Sequence, residues 1–340
     1  MWNPDASMEN LYRSFALKRE QQRAEWAELT KDQMKKRLAS SLSVPMEGQD
    51  ELRPVLLERV VLEDHVRERV EFGTLWGFRV PCYVLLPKGA VGRLPAVLAL
   101  HGHGFGSRQI VGLRADGTAH TGAADVHGNY ALEMVRRGFI VVVPEIIGFG
   151  DRRLEGDQRD GQVGNSSCQT LASHLILYGF SLAGLRVQEA IRALDYMVSR
   201  EDVDASRIGC FGFSGGGLLA AYTAALDERI RATVLCAFTN TFKGSIMAVR
   251  HCIDNYLPGA LDYAELPELI GLLAPRPLFI ASGKQDPIFP IETVETAVSY
   301  LEQVYAEVNA SEHLGVHLYE GVHQVNGSQA YPWLVEVLKR

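Results

Sequence analysis

The feature that most constrains this chain is a set of short, wholly apolar runs recurring between helical stripes. The clearest is Ala96-Val97-Leu98-Ala99-Leu100. A strand with no polar position has both faces covered, as in a parallel sheet packed between helices. Similar runs recur at 139–143, 207–211, 233–236, 277–281 and 316–319. Between them, Val187, Ala190, Ile191, Leu194 and Val198 form a helical stripe at i, i+3, i+4 spacing. Helical patterns also cover 214–226 and 291–308. This alternation predicts an α/β fold, a doubly wound and mostly parallel sheet with helices on both faces. Residues 55–70 and 78–86 read as further strands, with turns around Gly73 and Gly77.

Composition bounds the function. The 340 residues are 47% hydrophobic and 22% charged, enough for a large core and too apolar for a disordered chain. A net charge of −7 argues against nucleic acid or an anionic membrane surface as partner. The five cysteines are odd in number and contain no Cys-x-x-Cys pair, so neither a disulfide framework nor a cysteine zinc site is expected. The first twenty residues carry charges throughout and lack an apolar h-region, and no run of 18 apolar residues occurs. A soluble, reduced, cytoplasmic protein is the expectation.

Residues 1–50 differ from 51–340. They hold eight basic and eight acidic residues and few glycines, and read as one or two amphipathic helices ending before Pro45 and Gly48. This helical extension is expected to pack on the main domain at 51–340. It is also a candidate homo-oligomer contact or partial lid. Two long stretches, 102–127 and 145–179, read as loops after strand carboxyl ends, where open α/β sheets bind ligands. A third, 237–273, reads as a partly helical cap.

The chemistry centres on Gly212-Phe213-Ser214-Gly215-Gly216. The string G-x-S-x-G is common, but here an apolar strand precedes it and a helical pattern follows at once. A nucleophile on a sharp strand-to-helix turn requires that order. Serine needs a general base, and the base needs an orienting acid. On such a sheet they follow in the order serine, acid, histidine. Asp286 lies in a turn after the strand at 277–281. Asp227, Asp254 and Asp262 fall in or beside helical or inserted regions and are weaker candidates. Of the histidines beyond, His313 precedes the last strand and His317 sits within it. Only His323 follows it, at the correct edge. The oxyanion donors are expected to be the backbone N–H groups of Gly215 and His103, the latter in His101-Gly102-His103-Gly104. A metal held by His101 and His103 with His120 or His127 is the competing reading; no clear fourth ligand is visible, so no metal is expected. Phe105, Phe149, Phe213 and Phe238 flank the site and are candidates for an apolar acyl pocket.

Over roughly residues 55–340 the chain resembles the α/β-hydrolases. Within them it is similar to the branch of acetyl xylan esterases, cephalosporin deacetylases and dienelactone hydrolase-like enzymes. The resemblance rests on His101-Gly102-His103-Gly104, on Gly212 to Gly217, on the turn carrying Asp286 and on Gly321-Val322-His323. It implies a cofactor-free serine carboxylesterase acting on a small ester, with short, acetyl-like acyl groups. Two departures stand out. Relatives often carry Asp-x-Arg-Gly-x-Gly where this chain has Glu145-Ile146-Ile147-Gly148-Phe149-Gly150, and dienelactone hydrolases proper use cysteine as nucleophile. The same fold and triad serve serine peptidases, although 50 extra residues are too few for their gating domain. Non-catalytic hydrolase-fold binding proteins commonly lack a triad member, whereas all three are present here.

Overall fold

The computed structural model describes residues 2–25, 31–43, 50–158 and 165–339. The apolar runs become neighbours in one nine-stranded sheet. Its strands are β1 (Val55–Val61), β2 (His65–Gly73), β3 (Arg79–Pro87), β4 (Leu94–Leu100), β5 (Ile140–Pro144), β6 (Val203–Phe213), β7 (Ile230–Cys236), β8 (Leu278–Gly283) and β9 (Leu314–Tyr319). The order across the sheet is β1-β2-β3-β5-β4-β6-β7-β8-β9. From β5 to β9 every pairing is parallel, while β1, β2 and β3 add an antiparallel margin. This confirms the doubly wound, mostly parallel sheet.

The helices are α1 (Asp5–Glu25), α2 (Lys31–Leu42), α3 (Tyr130–Arg136), α4 (Glu155–Gln158), α5 (Cys168–Leu177), α6 (Leu182–Ser199), α7 (Gly215–Leu226), α8 (Leu266–Gly271), α9 (Ile291–Glu307) and α10 (Ala330–Lys339). The two-residue period of each strand sorts its side chains between two cores. Val97 and Ala99 of β4 join α3 and α10 on one face. Ala96, Leu98 and Leu100 join α2, α6, α7, α8 and α9 on the other. All five are fully buried, which is why the run lacks a polar position.

The structure corrects two expectations. The stretch 55–70 is a hairpin rather than one strand. The Leu62 N–H donates to the His65 carbonyl at 2.9 Å and Val61 pairs with Val66, so the chain reverses at Glu63 and Asp64. The stretch 145–179 is not a plain loop, because it contains α4 and α5. In α5, Leu171, Ala172 and Leu175 face the core, a short helical stripe. By contrast, 102–127 holds only a helical turn at Ser107–Ile110 and a bridge between Leu113 and Ala119.

The N-terminal helices pack differently. Leu38 and Leu42 of α2 are buried in the main core, and the Ser181 hydroxyl donates to the Leu42 carbonyl at 2.7 Å. Helix α1 instead lies on the 237–273 segment. The Tyr12 hydroxyl donates to Glu265 at 3.1 Å, Lys243 bonds Glu9 at 2.6 Å, and Lys18 pairs with Asp262. Pro45 and Gly48, the expected helix stops, lie outside the described residues.

Candidate active site

Strand β6 ends at Phe213, and the chain turns at once into α7. The turn forces Ser214 to φ 54°, ψ −121°. A residue with a Cβ adopts this conformation only at a cost of about 1–3 kcal/mol, supplied by its surroundings. The Ser214 N–H donates to the Cys236 carbonyl of β7 at 2.9 Å, and its carbonyl accepts from the Gly217 N–H at 2.8 Å. Two glycines make the turn possible by close approach. A Cβ on Gly212 would lie 2.1 Å from the Gly216 carbonyl oxygen. One on Gly216 would lie 1.8 Å from that of Leu100.

Asp286 and His323 come from the loops after β8 and β9, the next strands but one from β6 and their neighbour. The loops are stitched together, since the Gln285 N–H donates to the Gly321 carbonyl at 2.9 Å. The Asp286 carboxylate is fully buried. Its Oδ1 accepts the N–H groups of Ile288 (2.8 Å) and Phe289 (3.1 Å), and its Oδ2 lies 2.7 Å from His323 Nδ1. An acceptor-only carboxylate requires Nδ1 to carry the proton, so in the neutral ring Nε2 is the free base. Phe289 stacks on the imidazole (20° between planes), and Phe213 lies against it with ring centroids 4.9 Å apart. Ser214 and His323 line the same cavity, of about 200 Å³. His313 instead bonds the Pro275 carbonyl, and His317 pairs with Ala281 inside the sheet.

The loop after β4 passes directly over the serine. A Cβ on Gly102 would lie 3.2 Å from that of Ser214. The His103 ring lies edge-on to Phe149, and its Nδ1 is 3.1 Å from where a Gly215 Cβ would be. Behind the loop, buried Glu145 accepts the Ser107 N–H (2.9 Å) and hydroxyl (2.7 Å), with His101 Nε2 3.4 Å away. Burial alone would raise the Glu145 carboxyl, but His101 and the Ser107 donors outweigh it and hold it below its ordinary value. The segment 145–150 contains no arginine, and Arg186 of α6 donates to its Ile147 carbonyl.

Of the four phenylalanines expected to form the pocket, only Phe213 lines the serine's cavity. Phe149 is buried behind His101 and His103. Phe238 packs edge-on against Phe289, and Phe105 lines separate cavities beside Arg108 and Gln109. Sequence reasoning missed Phe289, although it stands three residues after Asp286. It also missed Arg250 and His251, which bring the 237–273 segment to the cavity wall. Burial lowers the His251 imidazole below its ordinary value. Among the described residues, His101, His120 and His127 do not assemble into a metal-binding group, whereas His103 falls in such a group with Cys168, Cys252 and Asp254.

Comparison with known proteins gives concordant matches. The model of the Abhydrolase family matches residues 5–322. The Bacillus subtilis (strain 168) protein named "Putative hydrolase YtaP" is 30% identical over 270 residues, 76% of this chain and 84% of that one. A Bacteroides fragilis structure described as a "putative acetyl xylan esterase" superposes with a TM-score of 0.75 at 19% identity, covering 91% of this chain and 88% of that one. A glucuronoyl esterase from Solibacter usitatus superposes with a TM-score of 0.64 at 14% identity, covering 92% of each chain. At these identities the structural likeness establishes the fold.

Proposed function

The chain belongs to the Abhydrolase family, and we propose that it is a serine carboxylesterase that hydrolyses short-chain acyl esters through an acyl-enzyme. One observation carries this reading. The strained Ser214 turn and the His323–Asp286 pair, held at 2.7 Å, meet at one small cavity beyond the carboxyl ends of β6, β8 and β9.

In the proposed mechanism His323 Nε2 takes the proton as Ser214 Oγ attacks the ester carbonyl. Asp286 holds the imidazole in the required tautomer and stabilises the imidazolium. The oxyanion is received by the backbone N–H groups of Gly215 and His103. The Gly215 N–H has no partner within α7, because the first N–H groups of a helix have none, and the helix N-terminus adds positive potential there. His323 then protonates the departing alkoxide. Water, deprotonated by the same imidazole, releases the acid.

Cavity size supports a small acyl group. About 200 Å³ is below the roughly 300–1,000 Å³ of drug-sized pockets. The similar structure described as an acetyl xylan esterase favours acetylated carbohydrate as the substrate class. The test is hydrolysis of p-nitrophenyl esters of increasing acyl length, beside a panel of peptide amides. Acetate is expected to be best and the amides inert. Ser214→Ala should lower kcat by about 10⁶-fold. A Ser214→Ala protein of undiminished activity would refute the assignment, and amides cleaved in preference would make the protein a peptidase.

A further inference from the structure

We propose that His103, Cys168, Cys252 and Asp254 form a structural zinc site bracing the loop that passes over Ser214. The four come from three separate segments: the loop after β4, the first residue of α5, and residues 250–255. One ligand atom from each lies within 4.8 Å of all the others. Two thiolates, an imidazole and a carboxylate are a set suited to tetrahedral zinc, and the thiolates select it over magnesium or calcium. Zinc bonds of about 2.0–2.3 Å place tetrahedral donors roughly 3.3–3.8 Å apart, so the cluster closes by about an ångström around the ion.

The surroundings are those of a ligand set held in place. Cys168 opens α5, where the helix N-terminus favours a thiolate. Arg186 is buried, donates to Cys168 Sγ at 3.1 Å and pairs with Asp254 Oδ2. It is itself fixed by the Ile147 carbonyl at 2.7 Å. Asp254 Oδ1 accepts from Asn255 Nδ2 at 2.8 Å. Such outer contacts orient ligands in metal sites. Charge also balances. Two thiolates and a carboxylate carry three negative charges; a divalent ion offsets two, and the Arg186 guanidinium the third. Cys168 and Asp254 are buried while His103 and Cys252 face the cavity, and zero net charge spares the two buried ligands the desolvation penalty of an uncompensated charge.

With all four ligands from protein the site is closed, so its role is to position rather than to react. It would fix the His103 ring, which already abuts Gly215, and hence the backbone on one side of the serine. Cys252 and His103 both line the cavity of Ser214, which places the site in its wall. Cysteine spacing excluded a zinc site in the sequence reading because the two cysteines are 84 positions apart and meet only in the fold.

The experiment is elemental analysis of the purified full chain, followed by replacement of the bound ion with Co²⁺. One zinc per chain is expected. The Co²⁺ form should show the intense thiolate-to-metal absorption and tetrahedral visible bands of a two-thiolate site. Cys168→Ser and Cys252→Ser should each lose the metal, whereas His120→Ala, outside the cluster, should keep it. Two results overturn the proposal: reduced protein that takes up neither Zn²⁺ nor Co²⁺ while both thiols titrate as free, or a Cys168–Cys252 disulfide in the mass spectrum of the untreated protein. If a serine variant fails to fold, the Co²⁺ spectrum of the wild-type chain still decides. Metal content is read without substrate, so the outcome is independent of the proposed esterase activity.

Discussion

Replacing Gly216 by alanine tests whether the backbone contact behind the serine positions the site. The new Cβ would sit 1.8 Å from the Leu100 carbonyl oxygen and 2.8 Å from that of His101. Real Cβ atoms essentially never approach closer than 3.0 Å, so α7 and the end of β4 must part by at least about 1.2 Å. Leu100 cannot yield freely. Its carbonyl accepts the buried Tyr130 hydroxyl at 2.6 Å, and its backbone is paired with Gly212 of β6. The displacement therefore falls between Ser214-Gly215 on one side and His101-Gly102-His103 on the other. Those are the two sides proposed to hold the reacting carbonyl. A misplacement of about 1 Å costs roughly 10²-fold in rate. Overpacking adds about 1–3 kcal/mol of destabilisation, a fall of a few degrees in Tm. The assay is kcat for p-nitrophenyl acetate alongside thermal unfolding, with Gly156→Ala as control because nothing lies near a Cβ there. The control should match wild type. A Gly216→Ala enzyme within about twofold of wild type in kcat, with unchanged Tm, would refute the reasoning.

Asp286→Asn should fold, since an amide oxygen can still accept the Ile288 and Phe289 N–H groups, but its NH₂ would face His323 Nδ1. The imidazole would then carry its proton on Nε2, and kcat should fall by about 10⁴-fold. Leu38→Ala should destabilise by about 2–5 kcal/mol in urea unfolding, because Leu38 is fully buried and anchors α2. The Glu145 carboxyl is held below its ordinary value of 4.5, so the stability it contributes is fully present above that pH. It is lost as pH falls through the depressed folded value. Tm measured across the acidic range should therefore fall less steeply for Glu145→Gln than for wild type, from a lower starting Tm near neutrality.

The elements readable in advance were those fixed by local pattern. The run at 96–100 announced a buried strand because all of its positions are covered in the sheet. The serine turn was readable because strand, glycines and helix are contiguous. His323 was separated from His313 and His317 by its position after the last strand, and the structure puts it beside Asp286. Helix α5 was overlooked because neighbouring glycines and polar residues masked its short stripe. The hairpin at 55–70 was overlooked because charged residues such as Glu58, Arg59, Arg67 and Glu68 occur within both strands, so Glu63 and Asp64 do not stand out as a turn.

The sequence by itself determined the sheet, its covering helices and the order in which Ser214, Asp286 and His323 reach its carboxyl edge. These follow from periodicity and from turns that depend on residues adjacent in the chain. Only the tertiary structure decided that Phe289, Arg250 and His251 wall the cavity while Phe149 and Phe238 do not. It alone brought Arg186 to the Ile147 carbonyl, and Cys168 and Cys252 to His103. These contacts join residues tens of positions apart through long loops. Loop direction is set by packing against the finished sheet, and no local period encodes it.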